Sequence, residues 1–423
     1  MKKVKVYDAI MGSGKTYNAI QRMKHYLETG QKFIYITPFL KEVKRIKEAL
    51  SEYSVSIPLD KEESKEWEVE LNMIDNEGAI DLNAQEKFRK LNKRAQFLKF
   101  VLNGDNVVST HSLFKKLSRE DYTLFDDYIL ILDEVIDPLE LKYIGEDDID
   151  MLRENNQIVI DHKSEVRFIN ENYKGRFQDI KKLCNSTTVF YLDKCFFAWI
   201  FPKEIFNAFK EIQILTYLFK GSLLCAYFKL NNIEFDIKDE NSIIDLLEIK
   251  SRLNIYDGIA NEDISSKITF SATFCKDLSS KGAKKISNKT SRIFRKNFKT
   301  GSKENCFTTF KDYKKKLSGD SYTRGFVAVN ARATNEYSHK KSMAYLANRY
   351  FTPQQVSFFR ERNIELNQDL WALGELVQWI WRGCIRNKEE MNLYIPSYRM
   401  RNLLYKWLDG EFLETSLTYN ECA

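Results

Sequence analysis

Paired cysteines are missing from this chain. Its seven cysteines (Cys184, Cys195, Cys225, Cys275, Cys306, Cys384 and Cys422) are scattered, odd in number and never spaced Cys-x-x-Cys. A zinc ribbon or a disulfide framework is thereby excluded as the organising device. Histidine is scarce as well, with four residues and none near a cysteine, which weakens the case for a metal centre further. Long apolar runs are also lacking. The most apolar stretch, ILTYLFKGSLLCAYF at 214–228, is interrupted by Lys220 and is too short to span a bilayer. The first strand and a glycine loop begin within ten residues of Met1, so we expect no signal peptide. No Gly/Ser linker divides the chain, and no carboxylate cluster of the nuclease type is present, which argues against a packaging ATPase. These absences lead us to expect a soluble protein of a reducing cytoplasm with no membrane partner.

What is present is length and patterned sequence. The 423 residues have room for two domains, each with its own core. A formal charge of +6 is mild, but it is unevenly spread.

The most informative stretch is YDAIMGSGKT, Tyr7 to Thr16. A phosphate loop needs a strand feeding it and a helix leaving it, because oxyanions bind the backbone N–H groups at the helix start. VKVYDAI (4–10) alternates as a strand does, and Ala19, Ile20, Met23, Tyr26 and Leu27 form an apolar stripe at helical spacing, closed by Gly30. In the loop, Gly12, Ser13 and Gly14 would wrap phosphate, Lys15 would neutralise it, and the Thr16 hydroxyl would ligate Mg²⁺. Only the first position departs from G-x-x-x-x-G-K-T, with Ala9 standing there. A solvated turn is the bland alternative, and the flanking strand and helix argue against it. A carboxylate for the metal comes from DDYILILDEV (126–135), an apolar run of buried-strand length ending in Asp133 and Glu134. Asp133 would hold the Mg²⁺ shell and Glu134 would polarise the attacking water.

Weaker signals follow. Thr37-Pro38 and Thr110-His111 close short strands, where hydroxyls and N–H groups commonly take nucleic-acid phosphates but also merely cap the next helix. In ALGELVQWIWRGCIRN (372–387), Gln378, Arg382 and Arg386 recur every four residues and would share one face if the helix continues. Two guanidiniums beside an amide suit a γ-phosphate, although surface arginines are the plain alternative. From Lys276 to Lys316 there are fourteen Lys/Arg against three acidic residues, with Phe294, Phe298, Phe307, Phe310 and Tyr313 interleaved. This pattern fits either a groove that tracks a phosphate backbone and stacks on bases, or a basic surface over an aromatic core.

These stretches resemble motifs I, Ia, II and VI of superfamily-two (DEAD/DEAH-like) helicases: AIMGSGKT, TP at 37–38, LDEV at 132–135 and QWIWRGCIR at 378–386. With NARATNEY (330–337) and YIPSYRMRNLL (394–404) added, nearly the whole chain resembles helicases encoded by tailed bacteriophages of low-GC bacteria. The resemblance implies an α/β fold with two tandem RecA-like domains, their parallel sheets flanked by helices, and ATP with Mg²⁺ in the cleft between them. It assigns Lys15, Thr16, Asp133 and Glu134 to the Walker positions, and Gln378 and Arg382 to motif VI. Arg386 falls one residue later than the commonest second arginine, so the arginine finger is left between Arg382 and Arg386. NARATNEY resembles motif V, with Arg332, Thr334 and Asn335 coupling ATP to the strand. For motif III, ITFSATF (268–274) supplies Ser271 and Thr273 as coupling residues, with Thr216 of IQILTYLF as the alternative.

The expected organisation is a first domain over 1–275, with an insertion at about 140–255, and a second domain over 276–423. Within the insertion, INENYKGRFQDIKKLC reads as helical and CFFAWIFP as a strand, and the acidic stretch at 59–77 reads as a solvated helix or lid. The implied activity is that of an ATP hydrolase and DNA helicase in the host cytoplasm, acting on single-stranded or forked DNA, with RNA as an open alternative track. Phage replication or recombination proteins would be its partners. The competing readings are a non-unwinding translocase, an ATP-gated loader of other proteins, and a small-molecule kinase, which leaves the Gln378/Arg382/Arg386 segment unexplained.

Overall fold

The structure, a computed structural model, describes residues 4–59, 92–239, 243–262, 269–330 and 336–413. The chain opens with β1 (Val4–Asp8), whose Val4, Val6 and Asp8 are buried in alternation. It turns through the glycine loop into a helix over Lys15–Glu28, which buries Ala19 and Met23 as the apolar stripe predicts. β2 (Lys32–Thr37), a helix over Leu40–Ala49, β3 (Val107–Thr110) and β4 (Tyr128–Asp133) follow. β4 is buried along nearly its whole length, which is why its sequence is continuously apolar instead of alternating.

Between β4 and the next strand of this sheet the chain builds a second, antiparallel sheet. Its strands are β5 (Leu139–Tyr143), β6 (Ile158–Ile160), β7 (Glu165–Phe168), β8 (Thr188–Leu192) and β9 (Phe196–Ile200), ordered β5-β9-β8-β7-β6. It has its own core of Ile149, Leu152, Ile180, Val189 and Phe197. CFFAWIFP is β9, whereas INENYKGRFQDIKKLC becomes helical only from Gln178.

The chain then returns to the first sheet as β10 (Glu211–Thr216) and β11 (Phe235–Asp239). All six strands are parallel, in the order β11-β1-β10-β4-β2-β3. The insertion is therefore shorter than 140–255. Residues 211–239 belong to the first sheet, because β10 fills the slot between β1 and β4.

A four-stranded parallel sheet closes the chain: β12 (Leu253–Ile255), β13 (Asn305–Thr308), β14 (Ser342–Tyr345) and β15 (Met391–Tyr394), ordered β12-β15-β14-β13. Since β12 pairs with β15, the second unit begins ahead of Leu253, earlier than a border at Cys275. Alternate residues divide between two buried clusters, Met343 and Tyr345 of β14 in one and Ala344 of β14 with Leu346 just beyond it in the other, so both faces are covered. Ile10 and Tyr217 of the first unit share a cluster with Trp379, Trp381 and Trp407 of the second, which joins the two units by a buried apolar contact. Among the described residues no helix is long and apolar enough to cross a membrane.

Candidate active site

Strand register lines up polar residues at one edge of the six-stranded sheet. Asp8 lies beside Thr216, Leu215 beside Asp133, and Thr37 beside Thr110. The carboxyl ends of β1, β10, β4, β2 and β3 thus share one rim, the place where open α/β sheets bind ligands. Asp8 supports the rim from beneath. Its carboxylate accepts the backbone N–H groups of Leu218 and Phe219, each at 2.8 Å, and ties the turn after β10 to the start of the glycine loop.

The loop itself has the backbone that phosphate binding requires. Gly12 and Gly14 sit at φ 86° and 88°, in the left-handed region, and Gly14 is the N-cap of the helix that begins at Lys15. The Lys15 ammonium donates to the Ala9 and Ile10 carbonyls of the same loop, the latter at 3.0 Å. Thr16, in the first turn of the helix, is half-buried.

Asp133 ends β4, where its carboxylate accepts the Tyr35 hydroxyl at 2.7 Å. Burial, and then the charge of Glu134, push this carboxyl up to about 7, while the Tyr35 hydrogen bond pulls the other way. A carboxylate so crowded is one that a divalent cation would favour in its ionised form. Glu134 sits at φ 67°, a conformation that costs a non-glycine residue roughly 1–3 kcal/mol. Its N–H donates to the Leu215 carbonyl at 2.8 Å, so β10 holds the strained turn in place.

The second unit reaches this rim directly. Gln378 Nε2 donates to Glu134 Oε2 at 3.5 Å, a long contact between residues 244 positions apart. The expected four-residue spacing does not continue past it. The helix runs over Gln368–Ile380, Trp381 is its C-cap, and Gly383 is extended before a 3₁₀ turn over Cys384–Asn387. Arg382 and Arg386 therefore do not share a helical face with Gln378. Arg382 is buried, at 7% exposure. Arg386 approaches the first unit: its guanidinium is held below its ordinary range by partial desolvation and then by Arg45, with Glu42 opposing. Glu42 and Arg45 also act on Asp133 and on Tyr35, so Arg386 lies in the electrostatic neighbourhood of Asp133. An exposed ion pair, Lys41 with Glu336 at 2.7 Å, spans the same cleft, and such pairs contribute about 1 kcal/mol or less.

Other expected residues stand elsewhere. The Thr37 side chain is fully buried, with no hydrogen-bond partner for its hydroxyl among the described residues, so it presents nothing to a nucleic acid. Pro38 and Thr110 are half-buried at the rim, and the Thr110 hydroxyl lies 3.3 Å from that of Ser112. The His111 ring bonds the Asp133 carbonyl at 3.0 Å, and so steadies the carboxylate strand instead of extending toward a strand of nucleic acid. Ser271 and Thr273 are not on a strand beside β4. Ser271 caps the helix Ala272–Asp277 in the second unit and Thr273 is exposed on it; Ser-Ala-Thr there is a helix start. Thr216, buried at the end of β10, lies beside Asp8, and its neighbour Leu215 is the residue in register with Asp133. Arg332, Thr334 and Asn335 lie outside the described residues, as does nearly all of the acidic stretch at 59–77. The aromatics of 276–316 face inward: Phe294, Phe298 and Phe307 are buried in the second unit's core, with Phe310 and Tyr313 packed against it.

Sequence reasoning missed Tyr35, Arg45 and Trp381. Tyr35 is hidden in an apolar strand, and Arg45 looks like any helix-surface arginine. Trp381 meets the loop only through tertiary structure.

Comparison with known proteins agrees with this division. The family model for the YonV C-terminal Rossmann-like domain matches residues 247–408, the span that holds the four-stranded sheet. The YonV middle domain matches residues 139–199, the inserted antiparallel sheet. The SPbeta prophage-derived uncharacterized protein YonV of Bacillus subtilis (strain 168) is 35% identical over 435 residues, covering 97% of this chain and 100% of that protein. Among solved structures, an XPD helicase superposes with a TM-score of 0.52 at 14% identity, over 96% of this chain and 94% of the other. The S. tokodaii Xpd4 structure gives a TM-score of 0.49 at 11% identity, with the same coverages. The shared fold is that of two RecA-like domains with parallel sheets flanked by helices.

Proposed function

The chain belongs to the family of the prophage protein YonV, and we propose that it is an ATP-dependent nucleic-acid motor, a phage DNA helicase that moves on single-stranded DNA during replication or recombination. The observation that carries this reading is the contact of Gln378 with Glu134, which brings a second parallel-sheet unit onto the rim that holds the phosphate loop and Asp133. A site completed across two units opens and closes with them, which is how hydrolysis becomes movement. Its likeness of fold to an XPD helicase supports the same reading.

Each residue then has a task. Gly12, Ser13 and Gly14 offer backbone N–H groups to phosphate, and Lys15 leaves the Ala9 and Ile10 carbonyls to meet the terminal phosphates. Thr16 and Asp133 would hold Mg²⁺, which supplies charge neutralisation when bound with ATP. Glu134 orients and deprotonates the attacking water, and Gln378 fixes the Glu134 carboxylate. Arg386 reaches from the second unit toward the developing charge, and Thr216 at the end of β10 couples the rim to the turn that meets the second unit.

The surface of 276–316 tracks the strand through phosphates. Lys281, Lys284, Lys285, Arg292, Arg295 and Lys296 are exposed on it, and its aromatics lie in the core, which leaves charge and not stacking as the grip. The test is fluorescence anisotropy of a labelled oligo-dT with the protein in ADP and in a non-hydrolysable ATP analogue, across a salt series. Affinity that falls steeply with salt and differs between the two nucleotides is expected. Affinity indifferent to both salt and nucleotide refutes the motor reading.

A further inference from the structure

Three tryptophans meet where the two units join, and two of their indole N–H groups have protein partners. Trp379 donates to the Val327 carbonyl at 3.2 Å, and Trp407 donates to the Tyr217 hydroxyl in the loop after β10. Trp381 is different. It is 6% exposed, yet among the described residues no group accepts a hydrogen bond from its Nε1–H. Its nitrogen is not among the fully enclosed unpaired atoms, so the ring is buried while the edge that carries the N–H stays reachable by solvent or a ligand.

The position of that nitrogen is informative. A Cβ placed on Gly12 would lie 3.6 Å from Trp381 Nε1, so the indole nitrogen stands against the phosphate loop at one of its two left-handed glycines. The ring has little freedom to turn elsewhere. It is the C-cap of the helix Gln368–Ile380, its backbone N–H is bonded to the Val377 carbonyl at 3.1 Å, and its face meets Trp407 edge-on at 6.1 Å. A fixed donor beside a loop that gathers oxyanions calls for an anionic acceptor.

We propose that the Trp381 indole N–H donates to a phosphate oxygen of the bound nucleotide, so that the second unit touches the phosphate tail through a neutral donor as well as through arginine. The inference rests on the nucleotide reading above and adds a binding residue to it. Trp381, Trp407 and Tyr217 would then form a continuous path from the phosphate to the end of β10, and binding would be sensed at the unit junction.

Trp381→Phe tests this, because an aromatic side chain stays while the donor goes with the fused ring that carries it, and the ¹⁵N readout below separates the lost donor from the lost volume. Binding of ATP and ADP is measured by calorimetry on the full chain, beside wild type and Lys15→Ala, with circular dichroism to confirm folding. The expected result is a loss of about tenfold in affinity for at least one nucleotide, with the folded circular dichroism spectrum retained. In the wild type one of the six tryptophan indole N–H signals is expected to move downfield on nucleotide addition in a ¹⁵N spectrum, and this readout also decides the matter if Trp381→Phe does not fold. Lys15-dependent binding that Trp381→Phe leaves unchanged, with no indole signal moved, overturns this inference alone. No Lys15-dependent binding at all overturns the nucleotide reading and this inference with it.

Discussion

The six-stranded sheet places its polar residues by strand register, whereas the four-stranded sheet's unit places its own by where one helix stops. Asp8, Thr216 and Asp133 each end a strand, and the burial pattern of those strands sets their position. Trp381, Arg382 and Arg386 follow the last turn of the helix Gln368–Ile380 and are aimed by the break at Gly383. Chemistry carried on strand ends is robust to neighbouring changes. Chemistry aimed by a helix end depends on the few contacts that fix the break.

Substitution can sharpen that contrast. The largest effects belong to the register-placed side: Lys15→Ala and Glu134→Gln should each lower kcat for ATP hydrolysis by about 100-fold or more, read by phosphate release. On the other side the two arginines should separate. Arg386→Ala should lower kcat by about 10- to 100-fold with little change in melting temperature. Arg382→Ala, which removes a buried guanidinium, should cost on the order of 2–3 kcal/mol of stability, seen in a denaturant titration. The opposite ordering would break the comparison.

Gly383→Ala probes the break itself. A Cβ there would lie 2.4 Å from Met343 Sδ, 2.6 Å from Met391 Sδ and 3.1 Å from the Lys340 carbonyl. The thioethers can yield but the backbone cannot, so a loss of about 1–3 kcal/mol is expected, together with a weaker response to nucleotide. Asp133→Asn should do the reverse when measured in EDTA. The folded-state carboxyl titrates at about 7 against an ordinary 3.8, so burying its charge destabilises the fold increasingly as pH rises between those values. The variant should therefore be the more stable protein at pH 8, by about 1–2 kcal/mol after allowing for partial exposure, and the advantage should vanish toward pH 4. The smallest effect is expected from Lys284→Ala with Lys285→Ala: uniformly weaker DNA binding and a shallower salt slope.

The legible part of the site was the part made of local spacing. Gly12, Gly14 and Lys15 lie between a strand and a helix in sequence as in space, and Asp133 ends an apolar run whose burial its composition announces. Ser271 misled because Ser-Ala-Thr is equally good as a helix cap, and only the pairing of β12 with β15 reveals which unit it serves. The every-fourth-residue pattern of Gln378, Arg382 and Arg386 misled because it assumes a helix that continues past Ile380, where the helix in fact ends. The aromatics of 276–316 had two readings, and burial chose the core. Tyr35 and Trp381 carried no signal, since each acts through a residue far away in sequence, Asp133 and Gly12.

The central claim, a nucleotide site shared by two units and driven on a nucleic acid, is tested most directly by the rate of ATP hydrolysis with and without single-stranded DNA, beside Lys15→Ala. The account predicts stimulation of about tenfold or more, abolished in Lys15→Ala. Lys15-dependent hydrolysis indifferent to both single-stranded DNA and RNA would contradict it.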